Sequence, residues 1–322
     1  MSNVALKEIK EIIFSGRSIA VSAHTSPDGD AIGAACALAM AVNGRGGYAK
    51  VFLEKYADVF NVIPVNGIVE NEMGEFKPEI YIAVDCGDME RLGGFKEAFA
   101  GSKIRINIDH HKSNTYFGDL NYVDTEASST CEIIYKIVGD MLSSLNNADY
   151  IAGCIYSGIV FDTGGFRHTS TSSITLAAAS ELIKYKFDFS KIYNTIFNTR
   201  KFEEAKALGR AILNMEKLAG GEIVYSSMSQ EEIKSCGTES DGLSEIINYL
   251  KGISGCKAAV FVYEKSTGVF KVSMRSEDDV DVSAVAQSFG GGGHAKAAGC
   301  TVEGSKKEIL DKIIVEISKQ LT

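Results

Sequence analysis

The residues best suited to chemistry in this sequence are its five histidines, which stand beside aspartate, glycine or arginine. His24 opens the segment HTSPDGD, in which Asp28 and Asp30 follow at short spacing. An imidazole and two carboxylates this close together are typical ligands of a divalent metal ion. The segment also contains the Ser, Pro and Asp residues that commonly start a helix, so its spacing alone leaves both interpretations open.

Three later segments bring further carboxylates and imidazoles. They are VDCGD with Asp85, IDHH with Asp109, His110 and His111, and FDTGGFRH with Asp162, Arg167 and His168. In IDHH, a carboxylate can orient one imidazole while the other ring faces a substrate. A lone aspartate often only closes a turn, and acidic glycine-rich loops are common at helix ends, so Asp85 and Asp162 are ambiguous when taken singly.

The main ligand candidates form a donor set of two imidazoles and four carboxylates. They are His24, Asp28, Asp30, Asp85, His110 and Asp162. Oxygen and nitrogen donors in this proportion suit Mn²⁺ or Mg²⁺ better than a zinc ion held by thiolates. Four carboxylates in one pocket repel one another unless cations neutralise them. The set therefore predicts two divalent ions, with Asp85 as the carboxylate that bridges them.

Short apolar runs in the first half of the chain predict the strands that would place these residues close together. They predict strands buried on both faces at residues 18–23, 49–53, 80–84 and 104–108. Residues 30–42 predict a helix between the first two strands, an alternation typical of a parallel sheet with helices on both sides. Ligands bind such sheets at the carboxyl ends of the strands, where Asp85 and Asp109 stand.

Helical patterns dominate the middle of the chain, and a second α/β alternation follows. Helices are predicted at residues 126–145, 150–159, 172–185, 240–250, 282–289 and 306–319, and further strands at 222–228, 257–263 and 269–274. The predicted fold class is therefore α/β. It comprises an N-terminal domain with a mostly parallel sheet flanked by helices (1–187), a helical connector rich in basic residues (188–217) and a smaller C-terminal α/β domain (218–322).

The second predicted domain contains two segments suited to anion binding. Their candidate residues are Arg275 and Ser276 of SMRS, and Gly291, Gly292, Gly293 and His294 of GGGGHAKAAG. Consecutive glycines let backbone N–H groups approach an anion, and an arginine can contact a phosphate through two hydrogen bonds. A glycine run by itself is more typical of a flexible loop, but the histidine and lysine that follow favour phosphate recognition.

Composition narrows the class of protein. The chain has 322 residues, of which 45% are hydrophobic and 23% charged, so a disordered or fibrous protein is excluded. A net charge of −9 disfavours coating of long nucleic acid or of an anionic membrane. The seven cysteines contain no CxxC pair, and neither a signal peptide nor a membrane span is recognisable. A cytoplasmic location is expected.

The four N-terminal motifs, in their order, resemble the signature motifs of the DHH phosphoesterase superfamily. GGGGHAKAAG, with SMRS upstream, resembles the associated DHHA1 substrate-binding domain. The likeness extends from about residue 19 to 299, and the Ala-Ser-Ser-Thr run at 127–130 is similar to the NrnA-like branch, which contains nanoRNases (oligoribonucleases) and pAp phosphatases. The sequence departs from the family pattern at Cys86, where a small or hydroxyl residue is frequent, and at His168, where an aromatic residue is frequent. These departures leave the preferred base of the substrate open.

The resemblance implies a role for each candidate residue. His24 and Asp28 would bind one metal ion, Asp30, His110 and Asp162 the other, and Asp85 both. His111 and Asp109 would be catalytic, with His111 facing the scissile phosphate and Asp109 supporting the ligands. Arg167, Arg275, Ser276, Gly291, Gly292, Gly293 and His294 would bind substrate. The implied cofactor is a pair of Mn²⁺ ions, with Mg²⁺ or Co²⁺ as substitutes, which activate a water.

The implied substrates are short RNA oligonucleotides, dinucleotides and 3′-phosphoadenosine 5′-phosphate (pAp), with no membrane partner and with a homodimer as the assembly. The alternatives within the superfamily are a cyclic or linear dinucleotide phosphodiesterase, a RecJ-like single-strand exonuclease and a manganese pyrophosphatase. A pyrophosphatase would not be expected to contain the GGGGH segment. A non-catalytic nucleotide-binding module is the alternative from another class, and the complete ligand set argues against it.

Overall fold

The computed structural model describes residues 3–277 and 280–321 and confirms the predicted α/β fold class. Contacts within the chain divide it into two compact units, and the division falls between Thr199 and Arg200. The segment predicted as a helical connector contains one helix of each unit. The domain boundaries drawn from the sequence, at residues 187 and 217, stay predictions.

The first unit is built on a parallel sheet. Its strands are β1 (Ser18–Ser22), β2 (Tyr48–Phe52), β3 (Val69–Glu70), β4 (Ile80–Val84), β5 (Ile104–Asp109) and β6 (Leu120–Val123). Across the described residues their order is β3-β2-β1-β4-β5-β6, and each neighbouring pair is parallel. The sequence predicted β1, β2, β4 and β5 but missed the two edge strands. The carboxyl ends of β1, β4 and β5 lie at one edge of the sheet.

Seven α-helices are described in the first unit. They are α1 (Leu6–Ile13), α2 (Gly29–Gly44), α3 (Lys96–Ala100), α4 (Thr130–Val138), α5 (Ala148–Asp162), α6 (Ser173–Leu182) and α7 (Phe189–Phe197). The single helix predicted over residues 126–145 is wrong. The Ser129 side chain caps α4 by accepting the N–H of Glu132, so the helix starts late. After α4 ends, a short 3-10 helix follows at Leu142–Ser144.

The larger core of the first unit lies between one face of the sheet and helices α2, α4 and α5. Helix α2 is almost entirely buried because alanine and glycine let neighbouring helices come close. At Gly33, a side chain would collide with the backbone of Cys154 in α5. A smaller core with Phe52, Tyr81 and Phe99 covers the other face. This packing fixes the starts of α2 and α4 and the end of α5 relative to the strands.

The N-terminal segment covers the edge of β6. The Asn3 side-chain amide donates to the carbonyl of Val123 at 2.7 Å and accepts the Val123 N–H at 2.8 Å. The N–H of Val4 donates to the carbonyl of Asn121 at 2.9 Å. These hydrogen bonds take the place of a further strand at that edge.

The second unit has a mixed sheet. Its elements are α8 (Phe202–Leu213), β7 (Glu216–Leu218), β8 (Ile223–Met228), α9 (Gln230–Cys236), α10 (Ile246–Lys251), β9 (Ala258–Ser266), β10 (Val269–Ser276), α11 (Val282–Ser288), β11 (Gly292–His294), β12 (Ala297–Glu303) and α12 (Lys306–Ser318). The strand order is β11-β12-β10-β9-β8-β7 within the described part, and the β8–β9 pair is parallel. The glycine-rich segment is thus part of a hairpin, β11–β12, and not a simple loop. The helix predicted over 240–250 is interrupted, because a 3-10 helix at Ser240–Leu243 precedes α10.

Among residues 3–277 and 280–321, no helix is both long and apolar enough to span a bilayer.

Candidate active site

The candidate ligands meet at the carboxyl edge of the parallel sheet. His24 follows β1, Asp85 follows β4, and Asp109 ends β5 directly before His110 and His111. The helices packed on the sheet supply the rest: Asp28 caps α2, Asp30 lies in its first turn, and Asp162 is the last residue of α5. Segments far apart in sequence therefore bring their carboxylates and imidazoles together because the strands are parallel.

The side chains form three overlapping groups, as far as the described residues go, in which one donor atom of each residue lies within 4.8 Å of the others. The groups are His24–Asp28–Asp85, Asp30–His110–Asp162 and Asp85–His110–His111. The first two are the ligand sets that the resemblance implied, apart from the bridging role of Asp85. The third group adds His111 as a neighbour of Asp85.

Asp85 lies at the centre of the cluster and is 2% exposed. Its Oδ2 is 3.5 Å from Nε2 of His24, and its Oδ1 is 3.7 Å from Nε2 of His110. The hydroxyl of Thr130 donates to the same Oδ1 at 3.1 Å. The backbone of Asp85 has φ of 52°, in the left-handed region that Asp and Asn adopt more readily than most residues other than glycine. The two carboxylate oxygens of Asp85 therefore face the two ligand groups separately.

Asp30 is fully buried and is held by the start of α4. The N–H groups of Thr130 and Cys131 donate to its two oxygens at 2.6 and 2.8 Å. Each carboxylate oxygen has two lone pairs, so each keeps one for a further ligand. Helix α5 leaves space for this carboxylate at Gly158, where a Cβ would collide with Asp30 and Cys131.

The ring of His24 is oriented by its own loop. Its Nδ1–H donates to the carbonyl of Thr25 at 2.7 Å, which leaves Nε2 facing Asp85 and the Oδ2 of Asp28. The other oxygen of Asp28 accepts the N–H groups of Asp30 and Ala31, because Asp28 is the N-cap of α2. The segment HTSPDGD therefore fits both interpretations: Asp28 caps α2, and its other carboxylate oxygen remains a candidate metal ligand.

His110 pairs with Asp162 at the end of α5. Nε2 of His110 lies 3.1 Å from Oδ2 of Asp162. The loop after Asp162 turns back, so that Nδ1–H of His168 donates to the carbonyl of Asp162 at 3.0 Å. Arg167 is exposed in this loop, and its Nε–H donates to the carbonyl of Gly164 at 2.7 Å.

His111 is held in place by a series of hydrogen bonds through Asp109, Asn114 and Asn107. Its Nδ1–H donates to Oδ1 of the fully buried Asp109 at 2.7 Å. Oδ2 of Asp109 accepts from the amide of Asn114 at 2.6 Å, and Asn114 also donates to Oδ1 of Asn107 at 2.8 Å. Asn107 in turn donates to the carbonyl of Cys86 at 3.1 Å. Because Asp109 occupies Nδ1, the Nε2 atom of His111 is the one left to contact a substrate.

The titration of these groups reflects the crowding of negative charge. Burial lowers the pKa of His24, but hydrogen bonds with Asp28 and Asp85 outweigh it and raise the pKa to about 10. His110 follows the same pattern: burial lowers its pKa, but the Asp162 hydrogen bond and the neighbouring carboxylate charges raise it to about 10. Burial, and then repulsion by Asp85 and Asp162, raises the pKa of Asp30 well above its ordinary value. Without a cation, the cluster therefore retains protons to offset its charge.

The donor set fits divalent cations. Carboxylates and imidazoles without thiolates suit Mn²⁺ or Mg²⁺, and two such ions would neutralise four carboxylates. Among the described residues, the three groups together contain all six candidate ligands.

Three supporting residues were missed by the sequence reasoning. They are Asn107, Asn114 and Thr130. The side chain of Asn114 donates to Asp109, that of Thr130 donates to Asp85, and that of Asn107 donates to the carbonyl of Cys86. Asn107 gave no signal, since it is one of three polar residues that alternate with isoleucine in β5. Asn114 stands a few residues after IDHH, and Thr130 ends the Ala-Ser-Ser-Thr run, so proximity to these motifs was a signal available for both.

The remaining candidates lie in the second unit, on β10 and the β11–β12 hairpin. Ser276 is buried, and its hydroxyl donates to the carbonyl of Val280 at 2.7 Å. Arg275 is half-buried and donates to the carbonyl of Met274 at 3.1 Å, while His294 is exposed on the edge strand. The substrate-binding roles of these residues stay predictions.

The glycines of the hairpin differ in what they contact. Gly293 has φ of 142°, and a Cβ there or at Gly291 would collide with β12. A Cβ at Gly292 would meet no atom within 4 Å. Packing therefore accounts for Gly291 and Gly293, whereas Gly292 faces open space and its lack of a side chain has no packing explanation.

Comparison with known proteins identifies the family. Residues 18–159 match the DHH family, N-terminal domain, and residues 203–321 match the DHHA1 domain. The chain belongs to the DHH family. A relative from Bacillus subtilis (strain 168), the bifunctional oligoribonuclease and PAP phosphatase NrnA, is 30% identical over 88% of this chain and 89% of its own length. The NrnA of Thermus thermophilus is 28% identical over 94% of this chain and 90% of its own.

Solved structures share this fold. An exopolyphosphatase-related protein from Bacteroides fragilis superimposes with a TM-score of 0.82 at 23% identity, covering 98% of this chain and 95% of that protein. RecJ from Thermus thermophilus, in complex with Mn²⁺, gives a TM-score of 0.50 at 12% identity and covers 99% of this chain and 55% of RecJ. At these identities the likeness concerns the fold alone.

Proposed function

We propose that this DHH-family chain is a metal-dependent phosphoesterase that hydrolyses short oligoribonucleotides to mononucleotides and removes a phosphate from pAp. The relatives named as bifunctional oligoribonuclease and PAP phosphatase match over most of both chains, which supports this substrate class. The net charge of −9 supports short substrates over long polymers.

One observation carries the proposal: the two oxygens of Asp85 face different ligand groups. Oδ2 lies toward His24, and Oδ1 lies toward His110. A carboxylate in that position suits two cations that share it. His24 and Asp28 would then hold one ion, and Asp30, His110 and Asp162 the other.

A bound pair of divalent cations lowers the pKa of a water between them and stabilises charge on a phosphoryl group. Mn²⁺ is the proposed ion, because carboxylates together with imidazoles suit it. Mg²⁺ and Co²⁺ are the proposed substitutes. The protein contributes the rigid placement of the donors by α2, α4, α5 and the strand ends.

His111 is proposed to donate to a non-bridging phosphate oxygen. The hydrogen bond with Asp109 raises the pKa of His111, which favours the imidazolium form. Because Nδ1–H donates to Asp109, Nε2–H is the remaining donor of the imidazolium ring and is the one proposed to face the phosphate. An oriented donor of this kind stabilises the negative charge that develops during in-line attack on phosphorus.

The second unit is proposed to bind the substrate. Arg275 supplies a planar donor pair for a phosphate, and Gly292 leaves room for close approach to the backbone. His294 would add contacts to phosphate, sugar or base, and Ser276 would do so only if its hydrogen bond to Val280 exchanged. Arg167, in the first unit, is likewise proposed to contact substrate. A homodimer is the proposed assembly.

The test is a substrate panel with purified protein and Mn²⁺, resolved at early times. It contains a 5′-labelled RNA dinucleotide, a pentamer, a 24-mer, pAp, pyrophosphate and a cyclic dinucleotide. Rapid loss of the dinucleotide and pentamer, release of phosphate from pAp and slow loss of the 24-mer are expected. Preferred digestion of the 24-mer would point to a RecJ-like exonuclease, and cleavage of only the cyclic substrate to a signalling phosphodiesterase. Nucleotide binding without any turnover would contradict enzymatic activity altogether.

A further inference from the structure

Glu132 is a buried carboxylate outside the candidate ligand set. It lies in the first turn of α4 and is 2% exposed. Its Oε2 accepts the hydroxyl of Ser128 at 2.8 Å and the hydroxyl of Thr175 at 2.7 Å, while its Oε1 lies 3.2 Å from Nζ of Lys136. Burial raises the pKa of Glu132, but the hydrogen bonds from Thr175 and Ser128 outweigh it and keep the group ionised. A buried charge with this many partners holds its neighbours in one arrangement.

Residues 128–131 form the turn into α4, whose first two residues are Thr130 and Cys131, and this turn is the first element that Glu132 holds. Glu132 fixes its start, since Ser128 donates to the carboxylate through both its hydroxyl and its N–H. The end of the same turn contacts the metal centre: two N–H groups hold Asp30, and the hydroxyl of Thr130 holds Asp85. A shift of this turn would therefore move donors on both proposed metal sites at once.

Helix α6 is the second element that Glu132 holds. Thr175 donates to Glu132 and accepts the N–H of Ser172, the N-cap of α6. Ser172 ends the loop that starts at Asp162, so Thr175 anchors the far end of that loop. One carboxylate thus joins the turn behind Asp30 and Asp85 to the loop that follows Asp162.

We propose that Glu132 is a positioning residue for the metal centre, which fixes Asp30 and Asp85 through the turn at 128–131. The inference rests on the proposed function for the identity of the ion, but its test does not require turnover. Residues that hold metal ligands from behind typically change metal affinity or activity about 10- to 100-fold when they are replaced. Glu132 makes no contact with the ion in this scheme and acts through Ser128 and Thr130.

The experiment compares Mn²⁺ binding to the metal-free full-length protein and to Glu132→Gln by titration calorimetry. Gln keeps the shape of the side chain but loses its charge. We expect about 10- to 100-fold weaker binding. Thr175→Val should weaken binding in the same direction by less, and Thr175→Ser, which keeps the hydroxyl, should restore it. If Glu132→Gln does not fold, the Thr175 pair decides the question by itself.

Glu232 provides a matched control in the second unit. Its carboxylate accepts from Ser229 and Asn214 and pairs with Arg210 at 3.1 Å, much as Glu132 is held. Glu232→Gln should lower the unfolding temperature without changing Mn²⁺ affinity. A folded Glu132→Gln variant with wild-type Mn²⁺ affinity would overturn the inference. If Mn²⁺ binding weakens as expected while even the wild type cleaves no phosphoester, the proposed function fails and the positioning role stands.

Discussion

In the first unit, Asp30 and Asp85 are 0% and 2% exposed, whereas in the second unit Arg275 is half-buried and His294 is exposed. The buried residues are each held by hydrogen bonds from other elements, and the exposed ones mainly by their own strand or hairpin. Chemistry on a phosphate needs donors fixed in place beforehand. Recognition of substrates of several lengths tolerates looser contacts. The difference indicates that substitutions should affect the rate in the first unit and substrate affinity in the second.

The largest effect is expected at Asp85. Asp85→Asn should lower metal-dependent turnover about 1,000-fold, which corresponds to about 4 kcal/mol in the activation free energy. Asn is chosen because Asn tolerates a positive φ, and the backbone of Asp85 has φ of 52°. Turnover is measured at saturating Mn²⁺, and circular dichroism checks the fold. A folded variant with wild-type turnover would remove Asp85 from the site.

Metal binding should stabilise the first unit only. At a free Mn²⁺ concentration about a hundred times the dissociation constant, the gain in unfolding free energy is about 2.7 kcal/mol. Scanning calorimetry of the metal-free and Mn²⁺-loaded protein should show the upward shift in one of two transitions. An equal shift in both transitions, or in neither, would contradict a metal site confined to the first unit.

The same stabilisation should depend on pH. The pKa values of His24 and His110 are raised to about 10 in the metal-free protein, so both rings hold protons at neutral pH. A metal ion must displace these protons, and raising the pH weakens their competition. Mn²⁺ affinity should therefore increase from about pH 6 to about pH 8, with protons released on binding. Calorimetry in buffers of different ionisation enthalpy measures that release, and a release of fewer than two protons at neutral pH would show that the two rings were not both protonated.

A smaller loss is expected at Asn114, which supports Asp109 and His111. Asn114→Ala removes a hydrogen bond to a buried charge, so turnover should fall about 10- to 100-fold. Mn²⁺ affinity should stay unchanged, because none of the hydrogen bonds described for the Asn114 side chain involves one of the six ligand candidates. The comparison of kcat with Mn²⁺ affinity separates this role from that of Glu132. Equal losses in kcat and in Mn²⁺ affinity would show that the hydrogen bonds from Asn114 through Asp109 to His111 also position the metal ligands.

The smallest effect is expected in the hairpin of the second unit. Gly292→Ala adds a methyl group into open space, so the fold should be unaffected. If the substrate approaches this backbone, KM should rise by about tenfold or less while kcat is kept. Gly293→Ala is the contrasting variant, because its positive φ and the collision with β12 should lower the unfolding temperature. An unchanged KM in Gly292→Ala would place the substrate elsewhere.

The sequence predicted most of the first unit because its signals are local. Apolar runs identify β1 and β4, alternating isoleucines identify β5, and the chemistry-bearing residues stand at or directly after the ends of these strands. Edge strand β6 was missed because it is short and contains the buried Asn121, whose amide pairs with Gly118. A polar residue in so short a segment favours the prediction of a loop, because its buried hydrogen-bond partner is not visible in the sequence.

The supporting contacts of the site were harder to predict. Glu132 and Thr175 are 43 positions apart, and Thr130 and Asp85 are 45 apart, so no local pattern connects them. The helix predicted over 126–145 began too early, so it did not identify Thr130 and Cys131 as the N-terminus of α4, whose N–H groups contact Asp30. The glycine-rich segment was recognised as important, but its hairpin depends on pairing with β12 and not on the glycines alone.

The pairing of Asn3 with β6 has a consequence for handling the protein. The side-chain amide of Asn3 occupies both the donor and the acceptor of Val123, so this position of the sheet edge is not open to another chain. Open sheet edges recruit strands from neighbouring molecules and promote aggregation. A truncation that removes Asn3 and Val4 would leave these groups of β6 unpaired and open to another molecule, so a shortened variant for preparative work should retain both residues.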